Sequence, residues 1–239
     1  LSIRGKTALV TASSKGLGRG AALALAQEGA NVVISARGEE ALEATRAEIA
    51  GTGAEVLAVT ADMSDPATPQ RLVDGTLERF GSLDILIGNN GGPPPRRALD
   101  VTDDEVVDAV NGNLVSSIRL VRAAAPAMRA NGWGRICLFT SFGVKQPIPD
   151  LALSNIARTG LWAWAKTAAM DLFDDRITLN LLCPGLHATE RAVALGRADG
   201  PLGDPEDFGK IAAFLCSEPA GFIAGAAIGV DGATVRGLC

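Results

Sequence analysis

A run of small residues between an apolar segment and a helical segment is the first feature that could do chemistry. It follows the apolar stretch 7–12 and opens a helix rich in glycine and alanine. Small side chains let a backbone approach a phosphate, and the free amides and dipole of a helix N terminus attract an anion. We therefore expect the run to hold the pyrophosphate of a dinucleotide. Its residues are Thr11, Ser13, Ser14, Lys15, Gly16, Leu17 and Gly18.

The end of the second apolar stretch indicates which dinucleotide would bind. A site for NAD usually has a carboxylate there, which accepts a hydrogen bond from the ribose 2′-hydroxyl. This chain has Ala36 and Arg37 instead, and Lys15 lies in the glycine-containing turn. Two cations and no acid favour the 2′-phosphate of NADP(H). The alternative is that both cations are ordinary solvated surface residues.

Apolar stretches alternate with helical segments along the chain, and these elements must position the turn. The expected strands are 7–12, 31–36, 55–60, 84–88, 135–140, 178–183 and 227–230. The expected helices are 17–28, 39–50, 68–80, 103–129, 151–173 and 206–217. Near-continuous apolar strands are typical of parallel sheets buried on both faces, and right-handed crossovers make such a sheet doubly wound. We predict an α/β, Rossmann-type fold with a seven-stranded parallel sheet flanked by helices, in one domain over residues 1–239.

Composition argues against several classes of function. Of the 239 residues, 47% are apolar and 21% charged, which is typical of a globular protein with a sizeable core. The net charge of −5 has no basic block beside it, so we expect neither nucleic acid nor a membrane as partner. The cysteines show no metal-ligand spacing with the single histidine, His187, so we expect no metal, reduced thiols and a cytoplasmic protein. They are Cys137, Cys183, Cys216 and Cys239.

Landmarks in a fixed order make the chain resemble the short-chain dehydrogenase/reductase family over essentially its whole length. Besides the turn at 11–18, they are Asp62-Met63 after the third strand, the segment 84–92 at the fourth, Asn113-Leu114 in the long helix, Ser141 after the fifth strand, and Pro184-Gly185 with Thr189 after the sixth. The proline-rich run 91–95 further resembles a bacterial branch that is labelled ketoacyl-reductase-like.

The resemblance implies roles at the cofactor. Asp62 and Met63 would flank the adenine, Asn89 would pack beside it, and Thr189 would hydrogen-bond the nicotinamide amide. Gly91, Pro184 and Gly185 are expected at the cofactor as well. One departure is Ala12, where the family usually has a glycine, and we expect its methyl group to alter the turn without abolishing binding.

The largest departure from the family concerns its catalytic residues. Members usually reduce carbonyls with a serine, a tyrosine and a lysine, aided by an asparagine, for which Asn113 is the match. The tyrosine lies 13 residues after the serine and the lysine four residues further. Counted from Ser141, these positions hold Ser154 and Arg158, and the chain contains no tyrosine at all.

The chemistry of Ser154 and Arg158 limits what they can do. Four residues apart on a helix, they share a face and can both point at a nicotinamide. Arg158 can donate to ribose hydroxyls but stays protonated, so it cannot relay a proton, and a serine hydroxyl serves as a donor or a link to water. The alternative is that both residues fill a degenerate site. His187, after the sixth strand, is a candidate acid or simply a polar loop residue.

Two further features concern assembly and the substrate side. Trp162 and Trp164 lie on the helix 151–173, which often forms a subunit interface in the family, so we expect a homotetramer or a homodimer. The segment around 186–203 is short for the family's substrate lobe. Either the active site is open, or a stretch is missing from the sequence.

Two classes of function fit these observations. The first is hydride transfer between NADP(H) and a small carbonyl or imine/iminium-type substrate, in keeping with specialised metabolism. An iminium carbon needs no proton after it gains a hydride, so the missing acid favours such an acceptor. The second is a catalytically degenerate NADP(H)-binding sensor or scaffold, and lyase or isomerase chemistry with transient use of the nicotinamide also stays open. A change in the redox state of the nicotinamide when substrate is added would distinguish them.

Overall fold

A parallel sheet forms the centre of the computed structural model, which describes residues 1–197 and 201–238. Its seven strands lie in the order β3-β2-β1-β4-β5-β6-β7, and all neighbours pair in parallel. The predicted fold class is therefore confirmed. The prediction of one domain over 1–239 also takes in 198–200 and 239, which lie outside the described residues. The strands are β1 (Thr7–Thr11), β2 (Asn31–Ala36), β3 (Val56–Thr60), β4 (Ile85–Gly88), β5 (Gly134–Phe139), β6 (Ile177–Pro184) and β7 (Ala227–Val230).

Helices cover both faces of the sheet, and each face has its own apolar core. Successive residues of a strand point to opposite faces, so Ala8 and Val10 of β1 join one core while Leu9 joins the other. The first core takes side chains from α1, α2 and α8, and the second from α3, α5 and α6. The helices are α1 (Gly16–Gln27), α2 (Glu39–Gly51), α3 (Thr68–Phe80), α4 (Asp103–Val110), α5 (Ser116–Asn131), α6 (Ala152–Phe173), α7 (Glu190–Ala194) and α8 (Pro205–Leu215).

The prediction of one continuous helix over 103–129 is wrong. A π-helical turn at Asn111–Val115 separates α4 from α5. The hydroxyl of Ser116 donates to the Gly112 carbonyl at 2.6 Å, and that of Ser117 donates to the Asn113 carbonyl at 3.1 Å. Such bonds compete with the backbone ladder, which loosens the helix at this point. The apolar pattern of the sequence carries no mark of this single widened turn.

The strand order places a crevice at the carboxyl end of β1. From β1 the chain winds outward through β2 and β3, then crosses back to β4 on the other side of β1. Loops that leave the carboxyl ends of two such strands diverge, and open parallel sheets bind their ligands in the resulting gap. The turn at 11–18 and the segment after β4 therefore face each other there.

Three expectations from composition concern cysteines, metal ions and membrane spans. Cys137, Cys183 and Cys216 are buried and unpaired, while Cys239 lies outside the described residues. Within 1–197 and 201–238, no three His, Cys, Asp or Glu side chains are arranged to hold a metal ion. The helices of the same ranges are too short or too polar for any of them to cross a bilayer.

Candidate active site

A cavity of about 350 Å³ opens at the carboxyl end of the sheet. Most of the predicted site residues line it. Those that line it are Lys15, Gly16, Leu17, Asn89, Gly91, Ser141, Ser154, Arg158, Pro184, Gly185, His187 and Thr189. Those that do not are Thr11, Ser13, Ser14, Gly18, Arg37, Asp62, Met63 and Asn113.

Buried hydroxyl groups brace the turn between β1 and α1. The Thr11 hydroxyl donates to the Asn89 carbonyl at 2.8 Å and accepts from the Asn89 amide at 2.9 Å. The Ser13 hydroxyl donates to the Val10 carbonyl at 2.8 Å and accepts from the Ser35 amide at 3.1 Å. These two side chains fix the shape of the turn instead of facing the cavity.

The same turn forms a backbone cradle. Gly16 has a φ of +52°, and a β-carbon there would lie 3.2 Å from the Thr189 methyl group. A β-carbon at Gly18 would overlap the Ala12 carbonyl oxygen. The side chain of the N-cap residue Lys15 does not cap α1, so among the described residues the first amides of this helix remain available to an anion. The Ser14 carbonyl is bound by the Thr45 hydroxyl at 3.1 Å. The cradle fits the pyrophosphate of a dinucleotide.

Each cation that was predicted to meet a 2′-phosphate has an acid nearby in the structure, although the end of β2 itself carries Ala36 and Arg37 and no carboxylate. The Lys15 ammonium pairs with the Glu190 carboxylate at 2.9 Å, and both side chains are more than half exposed. Arg37 is exposed and lies near Asp62. The Asp62 carboxylate accepts from the Ser64 amide at 2.9 Å, which lowers its pKa, and the charge of Arg37 adds to that effect.

Met63 and Thr189 are also placed by local contacts. Met63 is half-buried and packs against the core on the α3 side of the sheet. The Thr189 hydroxyl accepts from the Ala192 amide at 3.3 Å and so caps the short helix α7. Position 185 requires glycine, because a β-carbon there would lie 2.6 Å from the Cα of Asp231.

Ser141 and Ser154 both line the cavity, but they differ in their hydrogen bonding. Ser141 accepts a hydrogen bond from the Gly143 amide at 3.0 Å and caps a 3₁₀ turn at Phe142–Val144. Ser154 is half-buried near the start of α6, and its hydroxyl has no hydrogen-bond partner among the described residues. The Ser154 hydroxyl is therefore available to a bound molecule.

Arg158 is buried at the floor of the cavity, with 8% of its surface exposed. Its Nη1 donates to the Phe139 carbonyl at 2.9 Å, and its Nη2 donates to the Asn90 carbonyl at 3.2 Å. Burial, with a smaller contribution from the charge of Arg191, lowers the pKa of Arg158 to about 10. The side chain remains a cation at neutral pH and cannot relay a proton there.

Two buried amide oxygens lie near the π-helical turn. Asn113 is in that turn, 6% exposed, and outside the cavity lining. Asn90 donates through Nδ2 to the hydroxyls of Ser116 at 3.2 Å and Ser117 at 3.0 Å. The Oδ1 atoms of both asparagines have no partner among the described residues. Buried oxygens of this kind usually bind ordered water or a ligand.

His187 is buried, and its ring is packed on one side. It meets the ring of Phe208 edge-on with centroids 5.0 Å apart, and its Nδ1 lies 3.2 Å from the Gly185 carbonyl oxygen. Gly203 closes off another side, where a β-carbon would lie 2.7 Å from the ring. His187 also lines the cavity, so it both packs against Phe208 and contacts the space where a ligand would bind.

Several lining residues were not found from the sequence. Arg191, on α7, is the clearest of these, and its only sequence signal is its place two residues after Thr189. Its guanidinium approaches the cavity because Nη2 donates to the Pro93 carbonyl at 2.8 Å. Others lining the cavity are Asn90, Phe142, Ile148, Leu151, Leu195 and Arg197.

The fold and this cavity define a Rossmann-type protein with a dinucleotide cradle. The model of the family described as enoyl-(acyl carrier protein) reductase matches residues 11–233. A pig (Sus scrofa) protein named dehydrogenase/reductase SDR family member 4 is 32% identical over 249 residues, covering 99% of this chain and 89% of that protein. The chain belongs to the short-chain dehydrogenase/reductase family.

Solved structures support the same conclusion. YwfH, described as an NADPH-dependent reductase involved in bacilysin biosynthesis, superposes with a TM-score of 0.94 at 26% identity, covering 98% of this chain and 99% of that one. L-Sorbose reductase from Gluconobacter frateurii, described in complex with NADPH and L-sorbose, gives a TM-score of 0.92 at 29% identity and covers 98% of both chains.

Proposed function

We propose that this protein is an NADP(H)-dependent oxidoreductase that transfers a hydride to or from a small carbonyl or imine-type compound. One observation carries the proposal: a single cavity brings the cradle residues Lys15 and Gly16 together with Ser141, Ser154 and Arg158. The family supports an oxidoreductase role, and the NADPH of the two solved relatives supports the cofactor.

The residues of the cavity set the chemistry that they can assist. A bound nicotinamide cofactor would supply the hydride. In this proposal the hydroxyls of Ser141 and Ser154 donate hydrogen bonds to the reacting group, and Arg158 donates to the ribose. No tyrosine is present to protonate an alkoxide. An iminium carbon becomes neutral on gaining a hydride, so the residues favour such a pre-activated acceptor, whereas a ketone would need its proton from water or His187.

One observation favours a second candidate, a protein that binds NADP(H) as a sensor or scaffold without catalysis. Arg158 donates two hydrogen bonds, to the carbonyls of Phe139 and Asn90, and these bonds stabilise the fold whether or not the protein is catalytic. A residue with such a structural role can persist after catalysis is lost.

NADPH absorbance distinguishes the two candidates. The purified protein is mixed with NADPH and a panel of ketones, aldehydes and cyclic imines, and absorbance is followed over time. We expect at least one imine to be reduced faster than the matching ketone. Tight NADPH binding without consumption by any compound would instead favour the sensor or scaffold.

We expect NADPH to bind roughly tenfold to thousandfold more tightly than NADH, because Lys15 and Arg37 meet the 2′-phosphate through charge-assisted contacts. The Arg37→Ala variant should lose part of this preference, while Arg97→Ala, on an exposed loop, should keep it. Fluorescence titration with both dinucleotides measures the ratio. Equal dissociation constants in the unmodified protein would contradict the assignment, as would an unchanged ratio in Arg37→Ala.

A further inference from the structure

The cavity lining carries more positive than negative charge. Four basic side chains line it, and Glu190 is the one acid among the lining residues that the structure describes. Lys15 pairs with that glutamate, and Arg197 pairs with Asp150. The other two basic residues, Arg158 and Arg191, form no ion pair with any carboxylate of the described residues.

Arg158 is a buried cation whose partners do not neutralise it. The Phe139 and Asn90 carbonyls are neutral dipoles that fix the guanidinium in place. A guanidinium has five N–H donors, and these two hydrogen bonds use two of them, while the residue itself lines the cavity. A buried charge without a counterion is costly, and in proteins such charges are ordinarily paired.

Arg191 brings a second positive charge to the same space. It is held over the cavity by the Pro93 carbonyl, and its charge acts on Arg158 strongly enough to help lower the pKa of that residue. Two cations that repel each other across a cavity are both stabilised when an anion lies between them.

We propose that the compound reduced or oxidised in this cavity carries a carboxylate, which is bound by Arg191 together with a donor of Arg158 that the ribose does not use. A carboxylate matches the planar fork of a guanidinium, so the fork of Arg191 can fix its orientation while Arg158 adds a further donor and a second positive charge. The apolar side chains of Phe142, Ile148 and Leu151, which also line the cavity, would contact the rest of the molecule. The inference rests on the proposed function and assigns the class of its substrate.

The test compares benzoate with benzamide, which share a shape and differ in charge. Each is titrated by calorimetry into the protein saturated with NADP⁺. We expect benzoate to bind at least roughly tenfold more tightly, as a charge-assisted contact of about 1.5–3 kcal/mol would give. Arg191→Gln should remove most of this preference, and Arg191→Lys, which keeps the charge, should retain part of it. The surface variant Arg97→Gln is the matched control and should behave as the unmodified protein.

Separate readouts tell the possible failures apart. Equal binding of benzoate and benzamide by the unmodified protein would overturn the proposal. So would an Arg191→Gln variant that keeps its preference for benzoate but binds NADPH more weakly, because Arg191 would then belong to a cofactor phosphate. NADPH binding is titrated alone beforehand, and its absence would count against the proposed function instead. Circular dichroism of each variant shows that it is folded, and Arg191→Lys provides the comparison if the glutamine variant is not.

Discussion

Arg158, which we predict to occupy the position of the family's lysine, also makes hydrogen bonds that hold two segments of the chain together. Its guanidinium ties the end of β5, through Phe139, to the segment after β4, through Asn90. It therefore helps to shape the floor of the cavity as well as to face its contents. Ser154, one helical turn earlier, has no such task, since its hydroxyl is unpaired among the described residues.

This contrast predicts unequal effects of two substitutions on turnover. Ser154→Ala should cost only a few-fold, because one hydrogen bond is lost. Arg158→Ala should lower turnover by about tenfold or more. Two carbonyls lose their hydrogen-bond donor, and the rate of hydride transfer falls sharply when the nicotinamide is displaced. Turnover of a reducible compound and the NADPH dissociation constant are measured for both, with Arg158→Lys as the variant that keeps the charge.

Two outcomes would contradict the idea that the acceptor needs no side-chain acid. One is complete loss of turnover in Ser154→Ala at unchanged NADPH affinity. The other is a loss of about 10²–10⁴ in His187→Ala, which is the usual contribution of a general acid. The packing of His187 against Phe208 makes a folding control necessary for that variant.

Ala12 has a backbone conformation that L residues rarely adopt. Its φ is +46°, in the left-handed region, and the family usually has glycine there. A β-carbon in this region costs roughly 1–2 kcal/mol. We expect Ala12→Gly to raise the free energy of unfolding by about 1 kcal/mol, as measured by urea denaturation, and NADPH affinity to stay within a few-fold. A decrease in stability would show that the methyl group makes a compensating contact.

At the scale of elements, α1 aims its N terminus at the cavity because α8 holds it closely. A β-carbon at Gly20 would overlap the Pro205 carbonyl, and one at Gly209 would overlap the Gly20 carbonyl. The two backbones are thus in contact, and this contact sets the position of the anion-binding amides.

A pair of glycine substitutions tests the contact between α1 and α8. Gly20→Ala should lower the free energy of unfolding by about 1–3 kcal/mol, because backbone atoms must move, and it should also weaken NADPH binding. Gly75→Ala, inside α3 where a β-carbon has open space, should instead raise it by up to about 1 kcal/mol. Thermal or urea unfolding measures both, and equal effects of the two changes would rule out the close contact.

At the scale of the whole molecule, α6 exposes three large apolar side chains, which favour the predicted self-association. Trp162 and Trp164 are half-buried and pack against the core below them. The more exposed apolar side chains are Ile156 at 45%, Met170 at 65% and Phe173 at 39%. An outward surface of this kind is usually covered by a partner.

We expect light scattering at micromolar concentration to give the mass of a dimer or tetramer. Met170→Lys should lower the average mass, because it places a charge in the covered surface. Leu99→Lys, at an exposed apolar residue far from α6 in the chain, should leave the mass unchanged. A monomeric mass for the unmodified protein would contradict the prediction.

The sequence by itself determined the features that depend on local pattern. Near-continuous apolar stretches and helical segments predicted the sheet, and the small residues of the 11–18 turn predicted the cradle. These follow from side-chain periodicity and backbone sterics within a few residues, so no distant contact was needed. The positions of Ser154 and Arg158 came instead from the resemblance to the family, whose tyrosine and lysine follow its serine at a fixed spacing.

The tertiary structure alone decided which charges meet. Glu190 pairs with Lys15, and Arg191 reaches Pro93, although each pair is far apart in the chain. The π-helical turn at Asn111–Val115 and the burial of Arg158 without a carboxylate partner among the described residues were likewise invisible in the pattern. Charged side chains have no periodicity that reveals a partner. The order of the strands and the return of the segment after β6 over the cavity bring them together, and only the folded chain contains that information.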